Sequence, residues 1–231
     1  MSDPGPHPEP PSDFHRVTLP IITHGGSLFR THPHSAAPFY FGRTGRNRFD
    51  DPLGQYSVLY AARDVFGAFI ETFGQETGVR SVGVGDLKNR RLTEFYPASP
   101  LRLVDLVSPG CLARMPAGSR LFAGSRAVAQ RWSRAIYEHP YEHPDLPVHG
   151  VLYPARHNHT RCAVAIFDRD SIVRRLEVTR SVSWYSDEEE QRSNLAAVLN
   201  LYGFSLVETG TQPNKKNPGT ASSLQFDLFD E

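Results

Sequence analysis

Apolar residues recur at helical spacing in three segments of the chain and in short unbroken runs in several others. Between Asp64 and Phe73, the side chains of Val65, Phe66, Phe69, Ile70 and Phe73 fall on one face, which predicts a helix. Ser125 can cap a second helix, with Val128, Trp132, Ala135 and Ile136 as its stripe. Ser186-Asp187-Glu188-Glu189 reads as a capping box. It opens a third helix with Leu195, Val198, Leu199 and Tyr202 inside and Gly203 at its end. The short runs Ser57–Ala61, Arg91–Tyr96, Leu101–Leu106, Gly150–Tyr153 and Cys162–Phe167 read as strands, two of them separated by Pro97 and Pro100. Strands and helices do not alternate strictly. The pattern therefore predicts an α+β fold, mixed sheets with packed helices, rather than a doubly wound parallel sheet.

The ends differ in composition from the middle. Residues 1–20 open Pro-rich and polar and are expected to form a disordered arm, loosely attached as far as about Phe14. Residues 211–231 are expected to be a flexible tail, whose alternating Leu224-Gln225-Phe226-Asp227-Leu228-Phe229 can dock as an edge strand or a small contact motif. Residues 21–210 remain as one folded domain. The repeat of Tyr137-Glu138-His139-Pro140 as Tyr141-Glu142-His143-Pro144 is a local duplication in a loop.

Charge and cysteine usage narrow the function classes. The 231 residues carry 25 basic and 25 acidic side chains, a formal net charge of +0. A general polyanion binder needs an excess of Lys and Arg, so direct nucleic-acid binding is not expected. Nearly all the cations are Arg, which suits bidentate phosphate contacts. Cys111 and Cys162 form no CxxC pair, which excludes a zinc ribbon and fits a reducing cytoplasm. The first residues lack the apolar core of a signal peptide, and no run of about 18 apolar residues predicts a membrane span.

The candidate chemistry lies between Leu28 and Glu71. Arg30 follows Leu28 and Phe29 and, alone, reads as an ordinary strand-end arginine. Arg46 and Arg48 sit in a loop rich in Gly, Asn and Asp, and Tyr60 ends a strand. Together, three arginines near one tyrosine can grip the two phosphates of a dinucleotide. No Walker loop and no GxGxxG occurs, so a P-loop or Rossmann cradle is not supported. Glu71 lies well off the apolar face of its helix, which fits both a solvated glutamate and one lining a cleft. Gly67 and Ala68, one turn earlier, would leave room for a ligand. The pairs His32/His34 and His157/His159 have strand spacing for a metal. No carboxylate or cysteine stands convincingly beside either pair, and no metal site is expected.

In order and spacing, these residues resemble the RES family. Arg30 matches the family's first arginine, Arg48 before Phe49-Asp50 its second, with Arg46 as a rival because Asn47 replaces the usual glycine. Tyr60 matches the tyrosine of its leucine–tyrosine pair and Glu71 its glutamate. Gly150-Val151-Leu152-Tyr153-Pro154-Ala155-Arg156, followed by Ala163-Val164-Ala165-Ile166-Phe167, looks like the final family block. There Ala155 stands in place of a serine whose hydroxyl is expected to contact the dinucleotide. The resemblance implies an ADP-ribosyltransferase-like fold with NAD as substrate in a cleft and no metal. It implies a toxin that removes nicotinamide from NAD and passes ADP-ribose to phosphate, water or a protein. Glu71, Arg30 and Tyr60 would be catalytic; Arg30, Arg46, Arg48, Tyr60, Glu71 and position 155 would contact NAD. The implied partner is an antitoxin with an Xre-like helix-turn-helix domain, and the assembly a homodimer or a toxin–antitoxin hetero-oligomer. Ala155 keeps a second reading open, a catalytically weak RES-fold protein that binds a nucleotide or a partner.

Overall fold

The computed structural model describes residues 9–75, 78–117, 121, 124–140, 147–155, 158–169 and 172–208. In chain order the strands are β1 (Ile21–His24), β2 (Leu28–Pro33), β3 (Val58–Ala62), β4 (Ser81–Gly83), β5 (Arg90–Pro97), β6 (Leu101–Asp105), β7 (Gly150–Ala155), β8 (Asn158–Phe167), β9 (Leu176–Ser183) and β10 (Ser205–Val207). Four helices occur among the described residues: α1 (Val65–Phe73), α2 (Val84–Lys88), α3 (Arg126–Glu138) and α4 (Glu189–Tyr202). Eight strands form one sheet in the order β1-β6-β7-β8-β3-β2-β5-β9, and β10 with β4 forms a separate parallel pair. Only β6 and β7 run parallel within the large sheet. The expected α+β class with a mixed sheet is what the chain adopts.

β3 lies inside the sheet and is buried along its whole length, which is why it reads as an unbroken apolar run. Val58 and Tyr60 join a core with Trp132 and Ile136 of α3; Leu59 and Ala61 join a second core with Phe95 and Ile166. A third cluster gathers Phe69 and Ile70 of α1, Trp184, and Leu195 and Val198 of α4. Gly150 is fixed by packing, because a Cβ there would meet the carbonyl of Ala165 on β8 at 2.1 Å.

One sheet joint matters for the site. β2 pairs with β5 at six positions but with β3 only at Phe29↔Ala62. Beyond that point β2 and β3 diverge, and the sheet opens between them.

Several expectations change. Residues 9–20 of the expected arm are anchored: Phe14 is buried with its ring 5.1 Å from that of Trp132. Residues 1–8 and 209–231, including Leu224–Phe229 and the rest of the expected tail, lie outside the described residues, as do the second Tyr-Glu-His-Pro copy, Arg156 and His157. Ser186 is not the cap of α4. The helix begins two residues later than a capping box requires, with Glu188 at the N-cap, and the Ser186 hydroxyl instead accepts from the Glu188 N–H at 3.2 Å. Gly203 does close α4, with φ +67° in the left-handed region. No helix among the described residues is long and apolar enough to cross a membrane.

Candidate active site

The opening between β2 and β3 is the floor of a cleft of about 290 Å³. β2 contributes Phe29, Arg30 and Thr31; β3 contributes Tyr60; the loop before it contributes Tyr40, Thr44 and Arg46; α1 contributes Ala68 and Glu71; β7 contributes Tyr153.

Arg30 sits mid-strand rather than at a strand end, and it is buried, 8% exposed. Its Nη1 donates to the Tyr60 carbonyl at 2.9 Å and its Nη2 to the Tyr40 carbonyl at 3.3 Å. The guanidinium thus takes over the ladder where β2 leaves β3. Its Nε has no partner, and no carboxylate of the described residues pairs with it. Burial pulls its pKa down to about 10, which still leaves it a cation at neutral pH. A buried cation facing a cleft without a counter-anion is electrostatically incomplete, because its desolvation is offset only by two neutral carbonyls.

Arg46 is presented by a loop whose shape is set from inside. Gly45 adopts φ +69°, which turns the chain ahead of Arg46. The buried Asp50 carboxylate accepts from the Asn47 N–H at 3.1 Å, from the Asn47 side-chain amide at 3.2 Å and from Thr44 Oγ1 at 3.3 Å. Tyr60 completes this knot: its hydroxyl donates to Asp50 Oδ1 at 3.0 Å and accepts from the Phe49 N–H at 3.0 Å. Burial raises the Asp50 pKa despite these donors, and burial with the nearby Asp50 charge holds the Tyr60 phenol protonated. Tyr60 therefore offers the cleft part of its ring, while its hydroxyl fixes the arginine loop.

Helix α3 clamps the same loop from outside. Gln130 donates from Nε2 to the carbonyls of Gly45 at 2.6 Å and Asn47 at 2.9 Å. Arg126 donates to the Arg46 carbonyl at 2.9 Å, and Ser133 to the Phe49 carbonyl at 2.7 Å. Arg126, Gln130 and Ser133 follow helical spacing, so one polar stripe of α3 does all of this.

α1 carries Glu71, half-buried on the cleft wall. Asp64 caps the helix, accepting from the Gly67 N–H at 2.7 Å, and Arg161 pairs with Asp64 at 3.0 Å. Thr31 Oγ1 donates to the Ala68 carbonyl at 3.1 Å, tying α1 to β2. Gly67 does not make room for a ligand as expected. It packs on β3 and β8, where a Cβ would stand 3.0 Å from that of Ala62. Ala68 does line the cleft.

A family model, the RES domain, matches residues 27–186. The chain belongs to the RES family. The fold of this RES domain is similar to that of a chain in the crystal structure of the M. tuberculosis MbcT–MbcA toxin–antitoxin complex. The TM-score is 0.55 at 16% identity, over 76% of this chain and 92% of that one. No curated protein matches the sequence.

Within this RES domain, Arg30, Arg46, Tyr60 and Glu71 come together on one cleft. Arg48 and Ala155 are not among the lining residues. Arg48 Nη1 donates to the Gly124 carbonyl at 2.9 Å, bridging the loop to the segment before α3. Ala155 is fully buried at the end of β7, beyond a register shift, and faces Asn158. His32 is occupied by Thr93 Oγ1 at 2.8 Å and by the Pro33 carbonyl at 2.9 Å. Among the described residues, no three His, Cys, Asp or Glu side chains converge on a metal position. Tyr153 and Gln130 had no visible signal as site residues. Each reads as core or helix surface until a contact far along the chain gives it a role.

Proposed function

We propose that this RES domain is the toxin of a toxin–antitoxin pair and that it breaks the nicotinamide–ribose bond of NAD in the β2–β3 cleft, an arrangement like that of the ADP-ribosyltransferases. The observation that carries this reading is Arg30, a buried cation on the cleft with no carboxylate partner among the described residues. Such a group is built to receive an anion. Arg46 adds a second cation from a braced loop, and the two together suit a pyrophosphate. Its position on the cleft favours Arg46 over Arg48 as the second phosphate-binding arginine. The cleft volume is near the lower end for small-molecule sites, so it would enclose the ribose end of the dinucleotide and leave the rest over the rim.

In the reaction, the bond between ribose C1 and the nicotinamide nitrogen breaks, and nicotinamide leaves neutral with the bonding electron pair. The sugar becomes oxocarbenium-like, as in glycoside hydrolysis. Glu71 would stabilise that positive charge and hold a ribose hydroxyl. Water, phosphate or a protein nucleophile then adds to C1 and gives up its proton. Tyr60 contributes its ring face and, through Asp50, the pose of the Arg46 loop. The similar structure is a toxin–antitoxin complex, which supports an antitoxin partner for this chain, and an Xre-like protein is the kind proposed.

A second reading, a RES domain that binds nucleotide with little turnover, draws on the missing serine hydroxyl at Ala155, and the full burial of that residue outside the cleft lining weakens it. Calorimetry of NAD with wild type and with Arg30→Ala tests the cleft assignment common to both. Loss of the charged contact is expected to weaken binding by about 1.5–3 kcal/mol. Equal affinity in a folded variant would remove Arg30 from the site.

A further inference from the structure

Three tyrosines are buried near the site, and the hydroxyls of two of them are occupied. Tyr60 bonds Asp50, and Tyr56 bonds Ser133 at 2.9 Å. Tyr153, on β7, is only 6% exposed and lines the cleft, and its hydroxyl has no hydrogen-bond partner among the described residues. Its ring is held against that of Phe49, with centroids 4.7 Å apart and planes tilted by 54°. The hydroxyl is therefore not idle through looseness. A donor held in place on the wall of a cleft, without a protein partner, is left for a ligand.

We infer that Tyr153 is a further substrate-binding residue, whose hydroxyl donates a hydrogen bond to an oxygen of the ribose that Glu71 faces. The inference rests on the cleft holding an NAD-like ligand. The surroundings select the role. Burial and the Glu71 charge keep the phenol protonated against the weaker opposing pull of Arg48, so it acts as a donor and not as a base. Glu71 also repels a phosphate from this end of the cleft, since two anions there would share a poorly solvated space. The acceptor is then an uncharged oxygen, and a sugar supplies several. Arg30 and Arg46 take the phosphates, and Glu71 with Tyr153 takes the sugar beyond them.

The test is Tyr153→Phe, read by equilibrium binding of ADP-ribose and of ADP, with thermal unfolding alongside. ADP-ribose carries the second ribose but no bond to cleave, and ADP lacks that ribose. One neutral hydrogen bond corresponds to about a 3- to 10-fold loss of ADP-ribose affinity, with ADP binding unchanged. The unfolding temperature should hold or rise, because no bond within the protein is lost. Equal ADP-ribose affinity in the two proteins overturns the inference and leaves the NAD reading standing. A loss of the same size for ADP, or a marked fall in unfolding temperature, overturns it too. Failure of wild type to bind either ligand overturns both.

Discussion

Replacing Tyr60 by Phe removes one oxygen atom from the knot that shapes the arginine loop. Two buried groups lose a partner: Asp50 Oδ1, which accepts from the hydroxyl at 3.0 Å, and the Phe49 N–H, which donates to it at 3.0 Å. A hydrogen bond to a charged group contributes about 1.5–3 kcal/mol, and an orphaned buried donor costs about 1–3 kcal/mol. Because both effects share one hydroxyl they do not add in full, and a net loss of about 2–4 kcal/mol is expected. For a domain of this size that lowers the unfolding midpoint by roughly 5–15 °C. The loss also depends on pH. Burial already raises the Asp50 pKa above its unfolded value of about 3.9. Between those two values the folded state binds more protons than the unfolded one, so stability falls as pH rises through the window. Removing the Tyr60 donor raises the folded value further and widens that window. The penalty should therefore be smaller at pH 4 than at pH 7, because the part carried by the charged Asp50 fades as the carboxylate takes up a proton, while the part from the orphaned Phe49 N–H does not depend on pH. Urea unfolding of wild type and Tyr60→Phe at the two pH values measures it. An equal penalty at both, or none at either, would refute the reasoning.

Gln130→Ala deletes both clamps on the Gly45 and Asn47 carbonyls; stability should fall by about 1–2 kcal/mol, and NAD affinity several-fold through a looser Arg46, as calorimetry would show. Ala155→Ser, on the resemblance alone, would restore a ligand contact. Full burial away from the cleft lining predicts otherwise: unchanged NAD affinity and a cost of about 1 kcal/mol for an enclosed hydroxyl. A gain in affinity on adding that hydroxyl would place position 155 back in the site.

The fold was legible where one pattern dominated. β3, β8, α1 and the body of α4 carry apolar runs or faces strong enough to survive any tertiary context. The edge strand β9 was missed because Glu177, Val178 and Thr179 are all exposed, so its apolar residues mark no buried face. Ser186 misled because Ser–x–x–Glu fits a capping box, while its hydroxyl closed a local turn instead. In the site, Arg30, Arg46, Tyr60 and Glu71 could be grouped because they lie within about one supersecondary unit. The divergence of β2 from β3 could not be read, and it is what turns Arg30 from a surface arginine into a buried one. Gln130 acts on carbonyls 85 and 83 residues away, and no local pattern encodes such a contact.

The central claim is chemical and rests on Glu71. Purified wild type and Glu71→Gln should be incubated with NAD, with and without phosphate, and assayed for free nicotinamide and for NAD binding. Glutamine keeps the volume and most of the hydrogen bonding but removes the charge that would face the oxocarbenium-like sugar. The account predicts nicotinamide release by wild type, a loss of about 10²–10³ in rate in Glu71→Gln, and nearly unchanged NAD affinity. Equal release by the two proteins would contradict the role of Glu71. Binding without release by either would establish the nucleotide-binding reading in place of the enzyme.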